Sequence, residues 1–157
     1  MSTLGWLHTA AAVAALVAGA LVLLRGKGTR SHRRLGWTYA VAMIALNATA
    51  LAIYRLTGSF GPFHIAAILS LASVTAGVIP AVRRKPAGTW VERHYWWMTY
   101  SYLGLIAAAV AEVVTRIPGI NFWWTVVIAS AAVFVVGAPI IRRRARTTIA
   151  PFLPSAS

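Results

Sequence analysis

The residues with the widest chemical range in this sequence are four histidines, because an imidazole can ligate a metal, exchange a proton near neutral pH or donate a hydrogen bond. Each lies near the beginning of a long apolar stretch. They are His8, His32, His64 and His94. The chain has no cysteine, and its two acidic residues are Glu92 and Glu112. Disulfides, iron–sulfur clusters and thiolate-ligated haem are therefore excluded, so any bound metal or cofactor must use imidazole, glutamate or main-chain groups.

Apolar helices are the elements that must position these histidines. Of the 157 residues, 59% are hydrophobic and only 11% are charged, which is unlike an average soluble domain. A helix needs about 20 apolar residues to cross a bilayer, and five stretches meet or nearly meet that length. They are residues 4–24, 35–56, 62–82, 94–115 and 122–141. We therefore expect an all-α integral membrane bundle of five transmembrane helices.

Basic residues cluster after the first, third and fifth of these stretches, and the formal net charge is +13. The three clusters are Arg25, Lys27, Arg30, Arg33 and Arg34; Arg83, Arg84, Lys85 and Arg93; and Arg142, Arg143, Arg144 and Arg146. The positive-inside rule then predicts an outer N-terminus and a cytoplasmic C-terminus. Clusters at helix ends favour contact with the bilayer and its anionic lipids, so nucleic acid is not expected as a partner.

Short loops between the five helices predict a single transmembrane domain over residues 1–146, followed by a polar C-terminal tail over residues 147–157. We expect helices 1 to 4 to form an up-down four-helix core. Helix 5 carries neither histidine nor acid, so we interpret it as a packing element or as the contact of a homo-oligomer. Several polar residues within the apolar stretches are expected to hydrogen-bond between helices, namely Asn47, Tyr54, Ser70, Ser73, Thr75, Tyr100 and Tyr102.

In an up-down bundle, cofactor sites form between facing helices, which here are helices 1 and 3 and helices 2 and 4. The histidines then form an outer pair and an inner pair. The pairs are His8 with His64, and His32 with His94. Two facing imidazoles can serve as the axial ligands of haem b. Basic residues near the inner pair are candidates to bind the haem propionates. They are Arg33, Arg34 and Arg93.

The residues around the histidines resemble those of a known family. The segments Leu7-His8, Ser31-His32-Arg33-Arg34-Leu35-Gly36, Phe63-His64 and Arg93-His94 are similar to the histidine-bearing helices of the cytochrome b-561 type of dihaem membrane cytochrome. The wider pattern is closer to a group of uncharacterised bacterial membrane proteins with a domain of unknown function. The resemblance covers roughly residues 6–116 and implies a multi-pass protein of the bacterial plasma (inner) membrane.

A second interpretation is a zinc or other divalent metal site. Glu112 follows His94 by 18 residues and therefore lies on the same helix face, about 27 Å farther along. That position brings Glu112 to the level of His8 and His64. Two histidines and a carboxylate can hold zinc in a membrane hydrolase or a metal-handling protein. Arg116, four residues after Glu112, offers the simpler outcome of an ion pair.

The leading functional hypothesis is a small transmembrane b-type cytochrome, an electron-transfer oxidoreductase that takes electrons from a quinol or a small reductant. The outer metal site is the first alternative. The second alternative is a non-enzymatic membrane accessory or scaffold protein whose histidines lie at the membrane interface.

Overall fold

The computed structural model describes residues 2–54 and 58–152. In this part of the chain it shows five α-helices and no strand, which confirms the all-α prediction. The helices are α1 (Thr3–Leu24), α2 (Arg30–Leu51), α3 (Pro62–Arg83), α4 (Trp90–Val114) and α5 (Phe122–Ile149). A single 3₁₀ turn, Ala150–Phe152, follows α5. Residues 153–157 of the expected tail lie outside the described residues.

Three helices begin at a residue whose side chain accepts a hydrogen bond from the first turn. These residues are Ser2, Thr29 and Asn121. Such capping satisfies one of the main-chain N–H groups that the first turn leaves without a helical partner. Capping by Thr29 explains why α2 begins five residues before the expected Leu35. Hydropathy marks the apolar segment alone, whereas the hydrogen-bonded helix also includes the preceding basic turn.

Four of the described helices are long and apolar enough to cross a membrane. They are α1, α3, α4 and the segment Phe122–Phe152 that contains α5. The second helix is not among them, since its first turns carry three arginines and its interior carries Asn47. The five helices and a membrane-embedded chain therefore agree with the sequence prediction. The crossing of the membrane by α2 and the orientation of the chain stay predictions.

The chain divides into two compact units, Met1–Thr75 and Ala76–Ser157. In the first unit, α1 and α2 are joined by a short turn and pack against each other as an antiparallel pair. Small residues of α1, namely Ala15, Ala18 and Gly19, are buried in this unit. Lys27 in the turn donates to the carbonyl oxygens of Val22, Leu23 and Arg25. Burial lowers the pKa of this ammonium below its ordinary value.

The first unit also contains residues 62–75 of α3. The Asn47 side-chain amide of α2 donates to Ser70 Oγ of α3 over 3.1 Å. Asn47 is buried, and it also donates to the carbonyl oxygen of Met43 one turn earlier. This bond confirms the expectation of an interhelical role for Asn47 and Ser70, whereas Ser73 and Thr75 donate to carbonyl oxygens of their own helix.

In the second unit, α4 packs against α5. Leu103 of α4 lies against Gly137 of α5, where a Cβ atom would collide with the leucine side chain. The Tyr95 hydroxyl donates to the carbonyl oxygen of Ile141 over 2.8 Å, which fixes the beginning of α4 against the later part of α5. These contacts agree with the packing role expected for the fifth helix.

Candidate functional site: the histidine positions

His8 lies in the second turn of α1 and is half-buried. Its Nδ1 is 3.1 Å from Thr49 Oγ1, near the end of α2. Thr49 Oγ1 also lies 2.8 Å from the carbonyl oxygens of Ala45 and Leu46, and when its single hydrogen is donated to one of them Oγ1 accepts from His8. In that arrangement the proton of a neutral His8 ring lies on Nδ1, and Nε2 keeps its lone pair.

His64 has the opposite arrangement. It occupies the third position of α3, and its Nδ1 accepts the main-chain N–H of Gly61 over 3.1 Å. This bond resembles the return half of a capping box, in which the third residue of a helix satisfies the N–H of the capping residue. A neutral His64 ring therefore carries its proton on Nε2. That nitrogen is buried and has no hydrogen-bond partner in the described part of the chain.

Two aromatic rings flank the His64 imidazole. The ring centroids of Tyr54 and Phe60 lie 4.5 Å and 5.1 Å from that of His64. His64 itself is only 3% exposed, whereas Tyr54 is 47% and Phe60 56% exposed. The imidazole is thus enclosed by aromatic side chains that are themselves accessible.

Both histidines of the expected outer pair contact the same end of α2. His8 hydrogen-bonds to Thr49, and the His64 ring lies tilted against that of Tyr54, which follows the end of the helix by three residues. The first unit therefore places the two imidazoles around one helix end with opposite hydrogen-bonding character. A ligand shared by His8 and His64 stays a prediction.

His94 lies in the second turn of α4 and is half-buried. Its Nδ1 lies 2.8 Å from the carbonyl oxygen of Gly77 in α3. A carbonyl oxygen only accepts, so His94 donates from Nδ1 and keeps the lone pair on Nε2, as His8 does. A Cβ atom on Gly77 would lie 2.6 Å from Met98 Sδ, so glycine permits the close approach of α3 to α4 in the second unit.

His32 lies in the first turn of α2, and its main-chain N–H donates to the capping hydroxyl of Thr29. The three arginines expected near an inner haem are exposed, with Arg33 and Arg34 in α2 and Arg93 in α4. His32 and His94 belong to different units, so their pairing stays a prediction.

The expected zinc site of His8, His64 and Glu112 finds no support. No group of three or more His, Asp or Glu in residues 2–54 and 58–152 is arranged to hold a metal ion. Glu112 is exposed and instead accepts a charge-assisted hydrogen bond of 2.6 Å from Arg116. The helix periodicity placed Glu112 correctly on the face of His94, but burial along this face stops after Leu105. The ion pair with Arg116 is confirmed.

Sequence reasoning missed the residues that orient the histidines. Thr49 lies 41 residues from His8, and a threonine in an apolar helix carries no signal of such a contact. Gly77 belongs to a set of small residues, also including Gly19, Gly36 and Gly104, that is compatible with either cofactor space or close packing. The contact with Met98 assigns Gly77 to close packing, whereas a Cβ atom on Gly36 or Gly104 would meet nothing within 4 Å.

The comparison with protein families gives one match, to the family described as "Predicted membrane protein (DUF2306)", over residues 5–143. No match was found among curated proteins or solved structures. The family match extends beyond the resemblance noted over residues 6–116 and includes most of α5. Its description names no cytochrome, so the likeness to cytochrome b-561 stays a prediction. The chain belongs to this family of predicted membrane proteins.

Proposed function

We propose that the protein crosses the bacterial plasma membrane five times, with its N-terminus outside and its C-terminus in the cytoplasm. The antiparallel packing of α1 and α2 supports the second crossing. His8 near the beginning of α1 meets Thr49 near the end of α2, so α2 returns along the length of a helix that is apolar enough to span.

The distribution of arginine and lysine supports the same topology. If α2 did not cross, the basic cluster before it and the cluster after α3 would lie on opposite sides of the membrane. With five crossings, all three basic clusters are cytoplasmic, as the positive-inside rule favours.

Within this topology, we propose that the chain is a small membrane electron carrier that holds haem b through histidine. The observation that carries the proposal is the orientation of His8 and His94. Each donates from Nδ1 to a fixed acceptor, Thr49 Oγ1 or the Gly77 carbonyl oxygen, and keeps an electron pair on Nε2. Histidines that ligate metals usually have such a bond on their second nitrogen, because it fixes the tautomer and the ring direction.

His64 fits axial ligation less well than the other two. To ligate through Nε2 as a neutral ring, it would have to move its proton to Nδ1 and lose the bond from Gly61 N–H. We therefore assign the ligand role in the outer half to His8 and in the inner half to His94. Haem, when bound, supplies a reversible one-electron change at iron, and the chain orients the imidazoles and excludes water.

An absorption spectrum tests the cytochrome proposal. The protein should be produced with sufficient haem, purified in detergent and measured before and after dithionite reduction. We expect a Soret band that loses intensity in His8→Ala and His94→Ala. Thr9→Ala is the matched control, because Thr9 is the exposed neighbour of His8 and its hydroxyl donates to the carbonyl oxygen of Gly5 in its own helix. A purified wild-type protein without a Soret band would overturn the proposal.

A further inference from the structure

We propose that the Nε2–H group of His64 is the hydrogen-bond donor of a binding site for a quinone headgroup. The inference rests on the proposed function in one respect, since it names the class of redox partner with which the electron carrier exchanges electrons. The site itself consists of His64 and its aromatic neighbours, Tyr54 and Phe60.

The first step is the protonation of the ring. Gly61 N–H points at Nδ1 of His64, so Nδ1 accepts and the proton of the neutral imidazole is on Nε2. Because of this hydrogen bond, Nε2 of His64 offers a ligand an N–H donor rather than a lone pair.

The second step is the state of that donor. Nε2 is buried and makes no hydrogen bond within residues 2–54 and 58–152. Buried polar groups in folded proteins nearly always have a partner, and a buried N–H without one is destabilising. An acceptor oxygen from outside the chain would satisfy this donor.

The third step is the shape and polarity of the surroundings. The aromatic rings of Tyr54 and Phe60 lie next to the His64 imidazole. The surfaces around the imidazole are therefore planar and largely apolar. A planar ring with carbonyl oxygens matches both the stacking surfaces and the single donor. Phe60 is more than half exposed and precedes α3, so a rotation of its ring would open the His64 imidazole to a ligand.

The fourth step is the position in the membrane. His64 lies at the beginning of α3, a helix apolar enough to span, and hence near the end of a membrane crossing. A molecule with a polar ring and an apolar tail can place its ring at this level and its tail among the lipid chains. Phospholipid carbonyl or phosphate oxygens offer the same acceptor chemistry, but they lack a ring that stacks on Tyr54 and Phe60.

Binding can be measured without haem. Haem-depleted protein in detergent is titrated with a ubiquinone carrying a short isoprenoid tail, and tryptophan fluorescence quenching and the thermal midpoint are recorded. We expect saturable quenching and a rise in the midpoint. His64→Phe should weaken binding about tenfold or more through loss of the donor, and Phe60→Leu should weaken it through loss of stacking.

His64→Gln separates binding from helix capping. A glutamine at the third helix position can accept from Gly61 N–H and still present an N–H donor. We expect His64→Gln to retain quinone binding within a few fold of the wild type. If His64 only caps the helix, His64→Phe should bind quinone as well as the wild type does, and that result for His64→Phe would overturn the proposal.

Two further outcomes have defined meanings. If phospholipid alone raises the thermal midpoint through His64 and quinone does not, the acceptor is a lipid and the proposal is wrong. If quinone binds with dependence on His64 in a protein that never shows a Soret band, the quinone site holds and the cytochrome proposal fails.

Discussion

His8 and Thr49 lie 41 residues apart in the sequence, yet Nδ1 of the imidazole is 3.1 Å from Oγ1 of the hydroxyl. The carbonyl oxygens of Ala45 and Leu46 lie within reach of the hydroxyl hydrogen, and a hydroxyl that donates to one of them favours the Nδ1–H tautomer of the ring. A residue of the second helix thereby influences which nitrogen of the His8 imidazole carries the proton.

Replacement of Thr49 tests this relationship. Thr49→Val keeps the shape of the side chain but removes the acceptor, whereas Thr49→Ser keeps the hydroxyl. If haem binds through His8, loss of such a supporting bond should reduce the affinity about 10-fold to 100-fold. Haem titration followed at the Soret band measures the effect, and equal affinities in the valine and serine variants would contradict the assignment.

Gly77 and Gly104 form a matched pair for testing helix packing. Gly77→Ala should destabilise the protein by about 1–3 kcal/mol, because the new methyl group would overlap the Met98 side chain. Gly104→Ala meets nothing within 4 Å and should be neutral or stabilising by up to about 1 kcal/mol. Denaturant unfolding in detergent compares the two, and similar effects of both substitutions would refute the packing explanation.

The hydrogen bond between Asn47 and Ser70 should contribute a coupling free energy of about 0.6 kcal/mol, with about 1.7 kcal/mol as the upper end of such bonds between membrane helices. A double-mutant cycle with Asn47→Ala and Ser70→Ala measures this term. Ser73→Ala is the control partner, because Ser73 bonds to Leu69 in its own helix. Equal coupling of Asn47 to Ser70 and to Ser73 would argue against a specific bond.

The absence of cysteine allows a direct test of topology with single introduced thiols. Ser59→Cys, in the exposed turn before α3, should react with a membrane-impermeant maleimide added to intact cells. Ser31→Cys, in the first turn of α2, should react only after the membrane is opened. Labelling of both positions from the same side would show that α2 does not cross, and the reverse pattern would invert the orientation.

Glu112 is expected to matter little for stability. Its ion pair with Arg116 joins two exposed side chains one turn apart, and such pairs contribute about 1 kcal/mol or less. Glu112→Gln should therefore change the free energy of unfolding by no more than that amount, and the zinc content of the purified protein should not change. Bound zinc that is lost on this substitution would restore the metal site as a hypothesis.

Hydropathy and charge were sufficient to predict the five helices, since each apolar stretch corresponds to one helix in the described residues. The ends were less predictable. Capping by Thr29 makes α2 begin before its apolar segment. Helix α5 continues to Ile149, past the arginines at which the apolar segment ends. Hydrogen bonding, not hydropathy, decides where a helix begins and ends.

The histidine positions followed from the sequence, but their chemistry did not. Both His8 and His64 were expected to offer a lone pair, and only contacts with Thr49 and Gly61 reveal that they differ. Tautomers depend on neighbours that are distant in sequence or set by a local cap, and neither appears in residue spacing. The ion pair of Glu112 was predictable because its partner lies one helical turn away.

The pairing of α1 with α2 also has a consequence for how the protein is made. The second helix carries arginines in its first turns and a buried Asn47, so it is a poor candidate to enter lipid on its own. The first helix leaves the ribosome earlier and provides the surface that covers it. We expect α1 and α2 to enter the membrane together as one helical hairpin. In a chain that lacks α1, we expect α2 to stay in the cytoplasm, so that α3, α4 and α5 each cross the membrane in the opposite direction.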